Sequence, residues 1–161
     1  MRCATWASPR TSWSRSRREA SKNLDLVRSI YAAWELGDFT HGEWADPRIE
    51  YVIVGGPVAG AWTGLDGMAV GWRGWLDAWA DYRTEAEEYR DLDAERVLVL
   101  THDTGRGKAS RLELGEIGPK AAVLFHVHDD KVTRLVVYFD RSRAFADLGL
   151  APEAHADETP N

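Results

Sequence analysis

Crowded tryptophans constrain the fold of this chain more than any other feature. Four of its eight tryptophans, Trp62, Trp72, Trp75 and Trp79, lie within residues 60–82. With their apolar neighbours they follow the 3, 4, 3, 4 spacing of a strongly amphipathic helix, which places a wide indole surface on one helix face. Such a surface has to be covered, and the second half of the chain offers strands for this. The functional question is whether side chains or a ligand fill the space between helix and sheet.

The order of predicted elements indicates an α+β fold with an antiparallel sheet. Ser21 can cap a first helix that Gly37 ends, and Asp38 starts a short second helix. A capping box at Thr63 opens the tryptophan-rich helix, which runs to about residue 82. Strands are predicted at 49–54, 58–62, 83–91, 95–104, 108–127 and 131–139. A last helix, capped by Asp140, is predicted over residues 141–148.

Composition narrows the class of protein. The chain has 161 residues, 44% of them hydrophobic, which fits one domain. We interpret residues 1–20 as a disordered Arg/Ser-rich extension, 21–150 as the domain and 151–161 as a loose tail. Outside the extension the chain is strongly acidic, which argues against nucleic acid. No apolar run is long enough for a membrane span, and the single cysteine, Cys3, favours a reducing cytoplasm.

Short motifs stand in a characteristic order along residues 22–150. They are Tyr31-Ala-Ala-Trp-Glu-Leu-Gly-Asp38, Trp44-Ala-Asp-Pro47, Gly64-Leu-Asp-Gly-Met68, Gly105-Arg-Gly-Lys-Ala-Ser110, His128-Asp-Asp-Lys-Val132 and Tyr138-Phe-Asp-Arg141. This order resembles the SnoaL-like group of the nuclear-transport-factor-2-like superfamily. The resemblance implies a cone, a bent antiparallel sheet closed by three N-terminal helices around a central pocket. The family includes polyketide cyclases, ketosteroid isomerase and limonene epoxide hydrolase beside non-catalytic modules, so function has to come from the site.

Two of the family's reactions do not fit these residues. Ketosteroid isomerase-like members use a tyrosine, an aspartate base and a protonated aspartate. Those positions fall on Ile30, Val52 and Leu124 in this sequence. The Asp/Arg/Asp set of an epoxide hydrolase has no counterpart at matching positions either. Cyclase-type chemistry, with a base that removes a carbon-bound proton and a donor for the resulting oxyanion, remains open.

His126 is the first candidate for proton transfer. If Asp129-Asp130 is a two-residue turn, His126 pairs with Thr133 and faces into the cone. An apolar lumen would lower its pKa below about 6.5. On this hairpin the same face is expected to carry Leu124, Leu135, Val137 and Phe139.

His102 and Asp140 are the candidates to assist it. The resemblance places His102 inward together with Leu98, Leu100 and Thr104, so both histidines would approach one lumen. Asp140 has the opposite parity and reaches the pocket only if the strand ends or bulges at Phe139. The expected ligand-binding residues are Trp72, Val52, Leu100, Leu124, Leu135, Val137 and Phe139.

Two functions remain open at this point. In the first, the pocket carries out acid–base chemistry of cyclase, isomerase or hydrolase type on a small hydrophobic molecule. In the second, the protein is a non-catalytic binding or dimerisation module whose own tryptophans close the pocket. No cofactor is expected, and no metal, because the pair His126 and His128 lacks a third ligand. A homodimer through the outer sheet face is expected from the family. A pocket above about 300 Å³ with two convergent polar groups would favour the first function.

Overall fold

The computed structural model describes residues 7–56, 58–107, 113–114 and 120–151, with side chains from residue 17 onward except at 107, 113 and 114. Its elements are α1 (Ala7–Glu35), β1 (Ala45–Val54), β2 (Gly60–Thr63), α2 (Gly64–Asp77), β3 (Trp79–Asp91), β4 (Arg96–Gly107), β5 (Glu113–Leu114), β6 (Ala121–His128), β7 (Lys131–Tyr138) and α3 (Arg141–Leu148). One sheet has the strand order β2-β1-β7-β6-β4-β3, with β5 beside β4. The sheet is mixed because β1 and β7 are parallel, whereas the other neighbours are antiparallel. The predicted α+β class is confirmed.

Helix α1 is longer than predicted. It begins at Ala7 rather than at Ser21, so part of the Arg/Ser-rich segment is helical, while residues 1–6 and 152–161 lie outside the described residues. Pro9 falls in the first turn, where a missing N–H costs nothing. The face that meets the sheet is mainly apolar, and each of its large apolar side chains contributes about 1.5–3 kcal/mol on burial. Its members are Val27, Ile30, Tyr31 and Trp34.

The segment after α1 differs from the prediction. No helix forms at 38–44; Gly37, with φ 84°, turns the chain and a loop follows. Helix α2 ends at Asp77 rather than near residue 82, and Trp79 starts β3 by pairing with Gly107. Strand pairing therefore overrides the helical spacing of the tryptophans beyond Asp77.

One face of α2 is made of glycines that receive the ring of Trp62. A Cβ on Gly71 would lie 2.6 Å from Trp62 Cε3, and one on Gly67 would lie 3.2 Å from Trp62 Cβ. Only glycine permits this approach at Gly71. The opposite face of α2 is thereby directed away from the sheet edge and becomes available as a wall.

Both faces of the sheet are covered. Helices α1 and α2 pack on the inner face, over a core that includes Tyr51, Val97, Val99, Phe125, Leu135 and Val137. Helix α3 packs on the outer face, over Leu98, Leu100, Ala122, Leu124, Val136 and Tyr138. Two helices are therefore N-terminal and the third follows the sheet, in contrast to the three N-terminal helices expected. The predicted bounds of α3 are confirmed, with Asp140 as cap and Gly149 (φ 70°) as stop.

The β6–β7 hairpin contains a bulge, which determines the face of the sheet on which the side chains of β6 lie. Asp129 and Asp130 form the predicted turn, with φ of 51° and 63°. Val127 pairs with Val132, but the next pair is His126 with Arg134, so Thr133 is an extra residue in β7. An extra residue in one strand reverses which of its partners share a face.

Candidate functional site

A cavity of about 700 Å³ lies at the mouth of the cone, between α2, the 38–44 loop and the end of α1. We call it the mouth cavity. Its lining residues are Trp34, Phe39, Thr40, His41, Gly42, Glu43, Trp44, Leu65, Met68, Ala69, Trp72, Arg73, Leu76 and Leu135. Its volume is within the range of pockets that hold small organic ligands.

Aromatic rings form much of its wall. The ring of Trp34, on the last turn of α1, lies 5.0 Å from that of Trp72, 5.9 Å from Trp44 and 6.3 Å from Phe39 between centroids. The turn at Gly37 brings Phe39 and Trp44 back over Trp34. These four rings offer a large surface for apolar or planar ligands.

The loop that borders the cavity is held by local polar contacts. Trp44 Nε1 donates a 3.0 Å hydrogen bond to the carbonyl oxygen of His41. His41 Nε2 lies 3.2 Å from Asp38 Oδ2, and its Nδ1 lies 3.6 Å from Glu43 Oε1. Lys131 Nζ donates to the carbonyl oxygen of Glu43. The loop therefore presents an imidazole between two carboxylates at the rim.

The interior of the cone is filled. Below the mouth cavity the described residues enclose a void of about 10 Å³, about the space that one water molecule needs. Trp34, Phe39 and Trp72 line both spaces and separate them; we call these three rings the partition. Each contributes one surface to the cavity and another to the packed interior.

Asp103 is the polar centre of this interior. Its Oδ1 accepts a 2.6 Å hydrogen bond from Thr84 Oγ1, and its Oδ2 accepts one of 3.1 Å from the hydroxyl of Tyr82. Burial raises the pKa of Asp103, although both hydrogen bonds oppose the shift. Burial also raises the pKa values of Tyr31 and Tyr82, and the charge of Asp103 adds to both. A carboxyl group of this kind can give or take a proton, but the partition stands between it and the mouth cavity.

Comparison with known proteins was informative only at the level of structure. No family model and no curated protein matches the sequence. An NTF2-like protein of Burkholderia thailandensis is 18% identical, covering 71% of this chain and 88% of its own, with a TM-score of 0.62. A candidate polyketide cyclase of Xanthomonas campestris is 18% identical, covering 80% and 97%, with a TM-score of 0.57. A protein of Catenulispora acidiphila with a ketosteroid isomerase-like fold, in complex with trimethylamine, is 21% identical, covering 84% and 97%, with a TM-score of 0.55.

The chain has the fold of the nuclear-transport-factor-2-like proteins, which a SnoaL-like polyketide cyclase also shares. The resemblance inferred from the sequence motifs is thereby confirmed for the fold. Within this SnoaL-like fold, the side chains singled out from the sequence can be placed one by one.

His126 does not point into the cone, so its predicted orientation is wrong. The bulge at Thr133 pairs it with Arg134, and it also pairs with Arg96, on the outer face of the sheet. Its neighbours Phe125 and Val127 take the inner positions instead. The pKa of His126 is lowered as predicted, but the causes are partial burial and the two guanidinium groups rather than an apolar lumen.

His102 and Asp140 also lie outside the cone. His102 Nδ1 is 4.0 Å from Glu87 Oε2, on the outer side of β4. Asp140 Oδ1 accepts hydrogen bonds from the backbone N–H and the hydroxyl of Ser142, at 3.0 and 2.8 Å, so it is the cap of α3. The SnoaL-like fold therefore does not bring the three predicted catalytic residues together.

The predicted ligand-binding residues divide between the two faces. Trp72 and Leu135 line the mouth cavity, Val137 lines the interior void, and Phe139 stacks on Trp79 with ring centroids 6.3 Å apart. The predicted inward placement of three residues is wrong, because they belong to the outer core under α3 or pack against it. These are Val52, Leu100 and Leu124.

Sequence reasoning missed Asp103 and the loop residues at the rim. In β4 the inner residues are Val97, Val99, Thr101 and Asp103, opposite to the expected parity. A usable signal was present in β3, where Tyr82 and Thr84 alternate and supply two hydroxyl donors for one acid. Because residues 97–100 are apolar on both faces, alternation alone could not choose between Asp103 and His102.

Two kinds of feature are absent from the described residues. No group of three or more His, Cys, Asp or Glu side chains in the described part of the chain is arranged to hold a metal ion. None of the helices within the described ranges is both long and apolar enough to cross a membrane.

Proposed function

We propose that this protein binds a small, mainly apolar organic molecule in the mouth cavity. The observation that carries the proposal is the combination of about 700 Å³ of space with a wall of aromatic rings. Burial of a planar ligand against these rings would supply hydrophobic and stacking energy. The crystal structure of the Catenulispora relative with trimethylamine supports small-molecule binding by this fold.

The cavity can be blocked from one exposed position. Ala69 lines the mouth cavity, whereas the adjacent Val70 is 56% exposed and does not line it. Ala69→Trp would place an indole in the cavity with little cost to the core. Val70→Trp is the matched control, with the same new side chain on the same helix.

The test is thermal stability with a neutral aromatic probe, 2-acetylnaphthalene. At 100 times its dissociation constant the probe should stabilise the wild type by about 2.7 kcal/mol. Val70→Trp should keep this stabilisation and Ala69→Trp should lose it. No stabilisation of the wild type, or equal stabilisation of both variants, would contradict a binding site in the mouth cavity.

A second candidate function is acid–base chemistry of cyclase, isomerase or hydrolase type that uses Asp103. It is supported by the half-buried carboxyl of Asp103, which has a raised pKa and lies one ring layer behind the cavity. A ligand that displaces the partition would reach this group. Carbon-13 NMR of the Asp103 carboxyl would then show a titration that shifts when 2-acetylnaphthalene binds; an unchanged titration at saturation would count against this chemistry.

A homodimer and a cytoplasmic location belong to the same proposal. The outer face beyond α3 carries charges of both signs, with Arg134 3.6 Å from Glu50 and Arg96 2.9 Å from Asp93. A mixed surface can be self-complementary about a two-fold axis. Sedimentation equilibrium tests the dimer, and a monomer at micromolar concentration would contradict it. The single cysteine of the sequence supports the cytoplasmic location.

A further inference from the structure

The charges around the mouth cavity are unevenly satisfied. The two carboxylates of the loop, Asp38 and Glu43, both lie within 3.6 Å of the imidazole of His41. Asp38 also accepts hydrogen bonds from the backbone N–H and hydroxyl of Thr40. The acidic side of the rim therefore has partners within its own loop.

Arg73 is the contrasting group. It lies on α2, next to Trp72 in sequence, lines the cavity and is exposed. Within the part of the chain that the structure describes, its guanidinium takes part in no hydrogen bond, ion pair or cation–π contact. Asp77, one turn further along the same helix, is the natural i+4 partner, yet the two form no ion pair within 4.0 Å.

We infer that the ligand of the mouth cavity is an aromatic monocarboxylate whose carboxylate pairs with Arg73 while its ring lies against Trp72 and Trp34. This inference rests on the proposed binding function and specifies its ligand class. A guanidinium binds a carboxylate through two parallel N–H···O hydrogen bonds, and the apolar wall beside it shields the pair from water.

The charge of the site favours a monoanion over a phosphate. Arg73 is the only arginine or lysine among the described residues that line the cavity, and Glu43 lines it as well. The chain as a whole has a net charge of −6. A dianion would leave one negative charge without a partner and close to Glu43, whereas one carboxylate neutralises Arg73.

Three probes with one ring system separate these possibilities. 2-Naphthoate, 2-acetylnaphthalene and 2-naphthylmethylammonium have similar shapes but carry a negative, a neutral and a positive group. Isothermal titration calorimetry of the full chain would compare their dissociation constants in wild type, Arg73→Gln and Arg83→Gln. Arg83 is an exposed arginine on β3 that does not line the mouth cavity, so it controls for loss of one surface charge.

We expect wild type and Arg83→Gln to bind 2-naphthoate about tenfold more tightly than the ketone. Arg73→Gln should remove this preference and leave the dissociation constant of the ketone within about twofold. If the ketone binds but the preference is missing, or survives in Arg73→Gln, the inference is overturned and the proposed function stands. Tighter binding of the ammonium probe would also overturn it. If none of the three probes binds, the proposed function itself is contradicted.

Discussion

The mouth cavity and the interior of the cone share a wall of aromatic rings but differ in volume and in the contacts of their polar groups. The cavity offers about 700 Å³ and the interior void about 10 Å³. In the interior, Asp103 accepts hydrogen bonds from Tyr82 and Thr84, whereas Arg73 at the mouth has no such contact among the described residues. The same kind of side chain, tryptophan, both fills one region and lines the other.

This difference shows what the crowded tryptophans do. Trp75 and Trp79 are 2% and 3% exposed and close the interior. Trp34 and Trp72 lie nearer the mouth and line the mouth cavity. Space for a ligand exists where the 38–44 loop and α2 diverge, rather than at the centre of the sheet.

The largest expected effect is on stability, and it differs between a tryptophan of the interior and one that lines the mouth cavity. Trp75→Ala should lower the free energy of unfolding by about 3–5 kcal/mol, because it leaves a cavity in packed surroundings. Trp72→Ala should cost only about 1–2 kcal/mol, because one side of its ring already borders open space. Denaturant unfolding measures both. A harmless Trp75→Ala together with an unfolded Trp72→Ala would reverse the assignment.

A matched pair of glycines tests the packed face of α2. Gly71→Ala should destabilise the protein by about 1–3 kcal/mol, because the new methyl would lie 2.6 Å from the ring of Trp62. Gly74→Ala meets nothing within 4 Å and should stabilise the helix by up to about 1 kcal/mol. Equal effects of the two substitutions in thermal unfolding would show that Trp62 is not seated on Gly71.

A smaller effect on stability, which depends on pH, is expected from Asp103 in the interior. The pKa of Asp103 is raised in the folded state, so its stabilising contribution is present below the unfolded pKa of about 3.9 and is lost as pH rises through the folded pKa. Asp103→Asn should therefore gain stability relative to wild type as the pH rises from 4 to 7. Denaturant midpoints at several pH values measure this gain.

Glu87, on the outer side of the sheet, provides the control of opposite sign. The hydrogen bond from Arg141 lowers its pKa, so its contribution is present above the unfolded pKa and is lost as the pH falls through the folded pKa. Glu87→Gln should lose stability relative to wild type as the pH rises over the acidic range. Parallel pH profiles for the two variants would refute the assignment of Asp103 to the interior.

The smallest effect is expected from a segment that neither region uses. Beyond this segment, Asn23 joins α1 to a distant part of the chain, because its Nδ2 donates a 2.6 Å hydrogen bond to the carbonyl oxygen of Ala94. Removing residues 1–20 should leave the melting temperature nearly unchanged. A loss of several degrees would mean that Trp6 or Trp13 docks on the domain.

Helix caps and turn residues, read from the sequence, were sufficient to predict most helices and strands. The cap at Asp140 and the stop at Gly149 gave the bounds of α3, and the two-residue turn at Asp129 and Asp130 gave the β6–β7 hairpin. These features depend only on neighbouring residues. The predicted short helix from Asp38 does not form. After the turn at Gly37 the chain is a loop, which a hydrogen bond from Trp44 to His41 stabilises.

The candidate site was harder to predict, because the face of the sheet on which a side chain lies depends on distant parts of the chain. A single bulge at Thr133 moved His126 to the outer face. Helix α3 covers that face, so Leu98 and Leu100 are as buried as Val97 and Val99, and alternation carried no signal in β4. Trp72 could be predicted from the resemblance, whereas Asp103 needed the register between β3 and β4.

The most direct test of ligand binding in the mouth cavity uses the indole N–H resonances of the tryptophans. Trp34, Trp44 and Trp72 line the cavity, while Trp75 and Trp79 do not. Titration with 2-acetylnaphthalene, followed by ¹H–¹⁵N NMR with assignment by Trp→Phe variants, should shift the first three signals and leave the other two in place. Shifts confined to Trp75 and Trp79, or no shift of any indole at millimolar probe, would contradict a ligand site at the mouth of the cone.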